Sequence, residues 1–257
     1  MNPVLEKLLS VQNGIGLCWL GNLSWLIRAN GKLIATDLDL DRKNRLQPSP
    51  VPTTVLASVL DVQFITHEHG DHFSENTSKI LAETSSCQFV VPANCMEKAK
   101  KIGVPENRIT VARPFQPFEI CNIPVEPKRA LHGHTHFTVY RRANLDDCGY
   151  VFTLQGLKVY QPGDTVLLHE HLEDFADINV LFVSPTLHNT HIAASKTLIE
   201  FAQPDHIFPQ HFNTYEPTEQ NSYWTVGYPD ELRATLSPEL QNRFHKLEQG
   251  EVFIIST

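Results

Sequence analysis

The sequence predicts an α/β (α+β) fold of four layers, an αββα sandwich in which two mixed β-sheets pack face to face with helices on their outer faces. Two strand-rich halves, each with helices added, carry that reading. A third observation supports it: 41% of the 257 residues are hydrophobic and 19% charged. That is enough apolar material for a substantial core and too much for a disordered chain. No stretch has the composition of a linker, so residues 1–257 are read as one domain.

The elements follow in order. Strands are expected over 15–20, 24–28 and 32–36, with Asn30-Gly31 turning the last pair as a tight hairpin. The apolar run 61–66 stops abruptly at the polar segment HEHGDH, a strand feeding a loop. Residues 74–83 read as a helix with Ser74 as its cap, 88–91 as a strand, and 93–102 as a helix ending at Gly103. Short strand-like runs follow at 109–112, 118–121, 125–130, 150–154 and 158–160, with Gly156 turning the last two. A helix is expected over 169–175, a strand over 180–183, a helix over 194–201 and a strand over 206–208. Residues 230–246 suggest a helix and 251–255 a final strand.

Charge and cysteine usage narrow the function classes. With 21 Lys+Arg against 29 Asp+Glu the net charge is −8, which argues against nucleic acid or an anionic membrane as a main partner. The N-terminus has no basic segment followed by an apolar one, and no run approaches membrane-spanning length, so a cytoplasmic protein is expected. The 5 cysteines are odd in number and scattered, which fits a reducing compartment better than a disulfide scaffold.

The 13 histidines are the unusual figure, because imidazole is the commonest metal ligand. Four candidate ligands fall within Thr66-His67-Glu68-His69-Gly70-Asp71-His72, directly after the expected strand 61–66. In an extended stretch alternate residues point the same way, so His67 and His69 can grip one cation. The turn at Gly70 swings Asp71 and His72 toward a second.

With its HxHxDH loop after a strand, the chain resembles the metallo-β-lactamase-fold hydrolase superfamily. The later motifs of that superfamily are matched in order by Leu131-His132-Gly133-His134-Thr135-His136, Tyr160-Gln161-Pro162-Gly163-Asp164-Thr165 and Phe208-Pro209-Gln210-His211-Phe212. The resemblance covers nearly the whole chain. It implies that His67, His69 and His132 hold a first divalent ion, that Asp71, His72 and His211 hold a second, and that Asp164 bridges the two. Such a donor set suits Zn²⁺ and also accepts Mn²⁺ or Fe²⁺. His134 is the alternative to His132, since strand alternation presents both on one face; His136 is given a supporting or surface role.

The resemblance also implies that Asp37 supports the metal loop by accepting a hydrogen bond from a ligand histidine. The stretch Ser184-Pro185-Thr186-Leu187-His188-Asn189-Thr190-His191 lies at the edge that borders the metals in this superfamily. Either His188 or His191 then binds substrate or donates a proton to the leaving group, with His191 placed in the catalytic group beside Asp71 and Asp164; a polar capping loop is the alternative. His169, His171, His206 and His245 are assigned surface or packing roles.

The implied reaction is metal-assisted hydrolysis, by a water that two cations make acidic. The compact motifs look closest to the branch that includes L-ascorbate-6-phosphate lactonase and N-acyl-phosphatidylethanolamine phospholipase D. That branch implies a small, anionic substrate: an ester, a lactone or a phosphodiester. A tRNA-processing nuclease would need a basic patch, cysteine-containing lactamases place a cysteine at the position of Asp164, and flavodiiron reductases a glutamate at that of His69. A non-catalytic metal-binding or ligand-sensing protein on the same scaffold is the competing reading. Residues 215–230 are compatible with a lid, a plain surface or a contact in a homo-oligomer.

Overall fold

In the computed structural model, residues 2–134, 138, 139, 141, 143–175 and 177–256 are described. Short apolar runs build two sheets. The first takes β1 (Ile15–Trp19), β2 (Trp25–Ala29), β3 (Lys32–Thr36), β4 (Val62–Phe64), β5 (Gln88–Pro92) and β6 (Ile109–Ala112). The second begins with β7 (Phe118–Ile120) and β8 (Ile123–Arg129). A short hairpin, β9 (Gly133–His134) with β10 (Thr138–Val139), precedes β11 (Cys148–Leu154), β12 (Leu157–Gln161), β13 (Val180–Val183) and β14 (His206–Pro209). Finally β15 (Val252–Ile255) returns to the first sheet beside β1.

Strand order is β15-β1-β2-β3-β4-β5-β6 in one sheet and β14-β13-β12-β11-β8-β7 in the other. Both are mixed. In the first, β15 to β3 pair antiparallel and β3 to β6 parallel; in the second, β14, β13 and β12 are parallel and the rest antiparallel. The tight hairpin expected at Asn30-Gly31 forms, with Ala29 facing Lys32. Gln155-Gly156 makes the same two-residue turn, with Leu154 facing Leu157.

The inner faces meet in an aromatic core. Trp25 packs 4.5 Å from Phe182 and 5.7 Å from Phe208, and Phe64 meets Phe152 edge-on at 4.8 Å. Each such side chain is worth about 3–5 kcal/mol against alanine. A second core, including Leu5, Leu8, Leu81 and Ala99, lies under α1 (Pro3–Leu9), α2 (Thr53–Leu56), α3 (Glu75–Thr84) and α4 (Met96–Ile102). A third, including Leu198, Leu232 and Leu240, lies under α5 (His171–Asp174), α6 (His191–Ala202), α8 (Pro229–Thr235) and α9 (Pro238–Asn242). Between α6 and α8 runs the single-turn α7 (Ser222–Thr225). Among the described residues no helix is long and apolar enough to cross a membrane.

Two differences from the sequence reading have clear causes. The helix expected over 230–246 is two short helices, because Leu236 turns to extended backbone at ψ 158° and Ser237 caps a new start with Pro238 in its first turn. Proline has no N–H to continue a helix and clashes with the preceding turn. The helix at the N-terminus was not expected; the Asn2 side chain accepts from Val4 N at 3.0 Å and Leu5 N at 3.3 Å, and Pro3 opens it.

Candidate metal centre

Five loops, each leaving the end of a strand, bring the expected ligands together. His67 to His72 follow β4, His132 follows β8, Asp164 follows β12, His188 follows β13 and His211 follows β14. His67, His72, His132, Asp164 and His211 are buried, and Asp71 and His69 half-buried.

Asp164 is the hub. Its Oδ2 lies 3.4 Å from Nε2 of each of His72, His132 and His211, three imidazoles from three separate strand ends. The nitrogen and carboxylate donors of His67, His69 and His132 converge within 4.8 Å of one another, as do those of Asp71, His72 and His211. Asp164 completes two more such groups, one with His67 and His72 and one with His132 and His188. His134 is exposed on β9 with its ring 5.9 Å from that of Tyr223, so of the two candidates His132 is the one in the cluster. His136 lies outside the described residues.

The supporting contacts fix which nitrogen faces inward. Asp37 accepts from Thr66 N at 2.8 Å and Thr66 Oγ1 at 2.7 Å, and stands 2.8 Å from His72 Nδ1. A carboxylate only accepts, so His72 carries its proton on Nδ1 and turns the Nε2 lone pair to the cluster. His132 does the same through the Gly133 carbonyl, 2.6 Å from its Nδ1. Nε2 of His67, His72 and His211 are buried and make no hydrogen bond. Three orphaned nitrogens around one carboxylate are costly without a cation and natural with one, so these residues fit a divalent metal.

Electrostatics of the metal-free site follow from burial and from the two carboxylates. Burial alone would raise Asp164, but the imidazoles of His211, His72 and His188 outweigh it and hold the carboxyl well below its ordinary range. Asp71 is likewise held down at about 2, against burial, by His72 and His211. His67 is pushed well below its usual value by burial, and His69 is pushed down to about 4 by burial and then by His132. His72 and His132 move the other way: despite burial, the carboxylates, Asp164 foremost, raise both.

Further residues hold this arrangement, Asn22 among them without any local sequence signal. Asn22 donates from Nδ2 to Asp71 Oδ2 at 3.2 Å, while its carbonyl accepts from His211 N at 3.1 Å, tying two loops together. Asn189 Nδ2 donates to Asp164 Oδ1 at 2.8 Å, and His188 Nε2 stands 2.7 Å from Oδ2. Beneath them the amides of Gln161 and Gln210 bond reciprocally at 3.0 and 2.7 Å, and Trp25 Nε1 donates to the Gln210 oxygen at 2.9 Å. Gly163 stands at φ 65°, where a Cβ would lie 2.6 Å from the Thr66 Cβ, so only glycine lets the Asp164 turn press on the metal loop.

A cavity of about 250 Å³ opens onto the cluster. His69, Asp71, His132, Asp164 and His188 face it from one side, and Tyr223 and Trp224 of α7 from another. His191 is not among its described lining residues; its ring meets that of Tyr228 edge-on at 5.3 Å. The structure thus puts His188, rather than His191, at the cavity.

Comparison with known proteins gives the family and the fold. A family model described as Beta-lactamase superfamily domain matches residues 33–223. A UPF0173 metal-dependent hydrolase of Thermococcus kodakarensis is 26% identical over 213 residues, 79% of this chain and 87% of that protein. One of Pyrococcus furiosus is 25% identical over 170 residues, 62% of this chain and 69% of that protein. Among solved structures, the metallo hydrolase Igni18 of Ignicoccus hospitalis superposes with a TM-score of 0.72 at 17% identity, over 95% of this chain and 99% of that one.

Proposed function

We propose, from the premise that the chain belongs to the beta-lactamase superfamily domain family and is a metal-dependent hydrolase, that it holds two divalent ions and hydrolyses a small, anionic ester, lactone or phosphodiester. The observation that carries this is the Asp164 hub, with Oδ2 at 3.4 Å from three imidazole nitrogens of three loops. His67, His69 and His132 would hold one ion and Asp71, His72 and His211 the other, with Asp164 between them. Two bound cations, Zn²⁺ or Mn²⁺ by this donor set, supply a water acidic near neutral pH and a Lewis acid for the oxygen that gains charge.

The protein's own groups do the rest. The carboxylates of Asp71 and Asp164 accept hydrogen bonds from the attacking water and aim its lone pair. Asn22, on Asp71, and Asn189, on Asp164, keep those carboxylates from rotating. His188 lines the cavity and, as imidazolium, would give the leaving oxygen a proton and return to neutral imidazole.

The test is elemental analysis of the native protein together with hydrolysis of lactones, aryl esters and phosphodiesters before and after chelation. Near two metals per chain and chelator-sensitive turnover are expected. Metal without turnover on any class would favour a binding protein; no metal after supply of Zn²⁺ or Mn²⁺ would overturn the ligand assignment.

A further inference from the structure

Part of the cavity lining beside the cluster is aromatic and carried by an element outside both sheets. Tyr223 and Trp224 sit on α7, half-buried, and line the cavity side by side. They are indexed to the site rather than packed away in a core. The Tyr223 ring stands edge-on to His188 at 5.9 Å, and its carbonyl lies 3.3 Å from His188 Nδ1. Trp224 faces His211 at 6.1 Å and is backed by Tyr215 at 5.6 Å, whose hydroxyl donates to Asp39 at 2.6 Å.

No lysine or arginine is among the described residues that line this cavity. Negative charge on a substrate would then face the cluster and its cations, and the remainder of the substrate would meet Tyr223 and Trp224. Size limits that remainder. A cavity of about 150 Å³ accepts one benzene, so ≈ 250 Å³ leaves room for about one ring beside a reacting carbonyl or phosphoryl.

We infer that Tyr223 and Trp224 determine specificity by docking an aryl or compact alkyl group, about one ring in size, attached next to the bond that is hydrolysed. This rests on the metal-dependent hydrolase reading above. Ring-on-ring contact strengthens binding by about two- to tenfold beyond area burial, which itself adds to the difference.

The test separates the two claims by using metal chelators of differing tail. Acetohydroxamate and benzohydroxamate present the same head group to the metals, and their affinities for the metal-loaded protein are measured by calorimetry. Benzohydroxamate should bind about tenfold tighter. The gap should close in Tyr223→Ala and in Trp224→Ala and persist in Tyr223→Phe; should Trp224→Ala fail to fold, the Tyr223 pair of variants decides. Both chelators binding equally, or a gap that survives in the alanine variants, overturns the wall and leaves the metal centre standing. Neither binding overturns the metal centre, and the wall as a substrate site with it.

Discussion

Asp164 Oδ2 lies 2.7 Å from His188 Nε2, closer than the 3.4 Å that separates it from each of the three imidazoles assigned to metal. Burial pushes His188 below its ordinary pKa, while Asp164 pulls the other way. The carboxylate fixes the ring and favours its charged form, and it is as imidazolium that His188 can give a leaving oxygen a proton and return to neutral imidazole. His188→Ala should lower kcat about 10²–10⁴-fold on substrates with poor leaving groups. The loss should shrink for nitrophenyl esters, which need no proton, and metal content should stay at the wild-type value. A uniform loss across leaving groups, read from a leaving-group series, would remove the proton-donor role.

Asp37 is the counterpart on the other side of the cluster. Removing its carboxyl in Asp37→Ala leaves His72 Nδ1 and Thr66 N without their acceptor in a fully buried place. Metal affinity should fall about 10–100-fold, as is usual when a ligand histidine loses its partner. Competition against a chromophoric chelator measures it.

Metal uptake should release protons at pH 7. His72 is raised well above its ordinary value and His132 is raised, both chiefly by Asp164, so in the metal-free protein each binds a proton more firmly than a free imidazole and a cation has to displace it; His69, at about 4, adds none. Apparent affinity therefore falls as pH drops. Titration calorimetry in buffers of differing ionisation enthalpy reads the number released, and a binding enthalpy independent of buffer would contradict the assignment.

Gly133 has no room for a side chain. A Cβ there would stand 1.7 Å from the His188 carbonyl oxygen. Gly133→Ala should cost about 1–3 kcal/mol by overpacking and displace His188, so that activity falls further than Tm. Thermal denaturation beside kcat on a poor-leaving-group substrate distinguishes this from simple destabilisation.

The metal loop is legible in the sequence because four candidate ligands fall within six residues and follow an apolar strand. His132, Asp164 and His211 are legible only as motifs of a family, since His132 is one of three alternating histidines and the other two each stand alone in their segments. Asn22 and Gln210 carry no local signal: their partners, Asp71 and Gln161, are 49 residues away, and Trp25 lies 185 residues from Gln210. His188 and His191 are equivalent in spacing and differ only in which faces the cavity, a choice made by the loop before α6. In the fold, alternating apolar runs marked the strands well, whereas the break at Pro238 and the helix at Asn2-Pro3 rest on single residues that a periodicity reading passes over.

Tyr223 and Trp224 ride on a one-turn helix that pairs with no strand, while the metal-facing residues are rooted in strand ends of both sheets. Reactivity and selectivity are therefore separately mutable. Exchanging the side chains of 223 and 224 would refit the scaffold for a different tail, provided the Tyr223 carbonyl beside His188, the Tyr215 hydroxyl on Asp39 and Gly227 against the His211 carbonyl are kept.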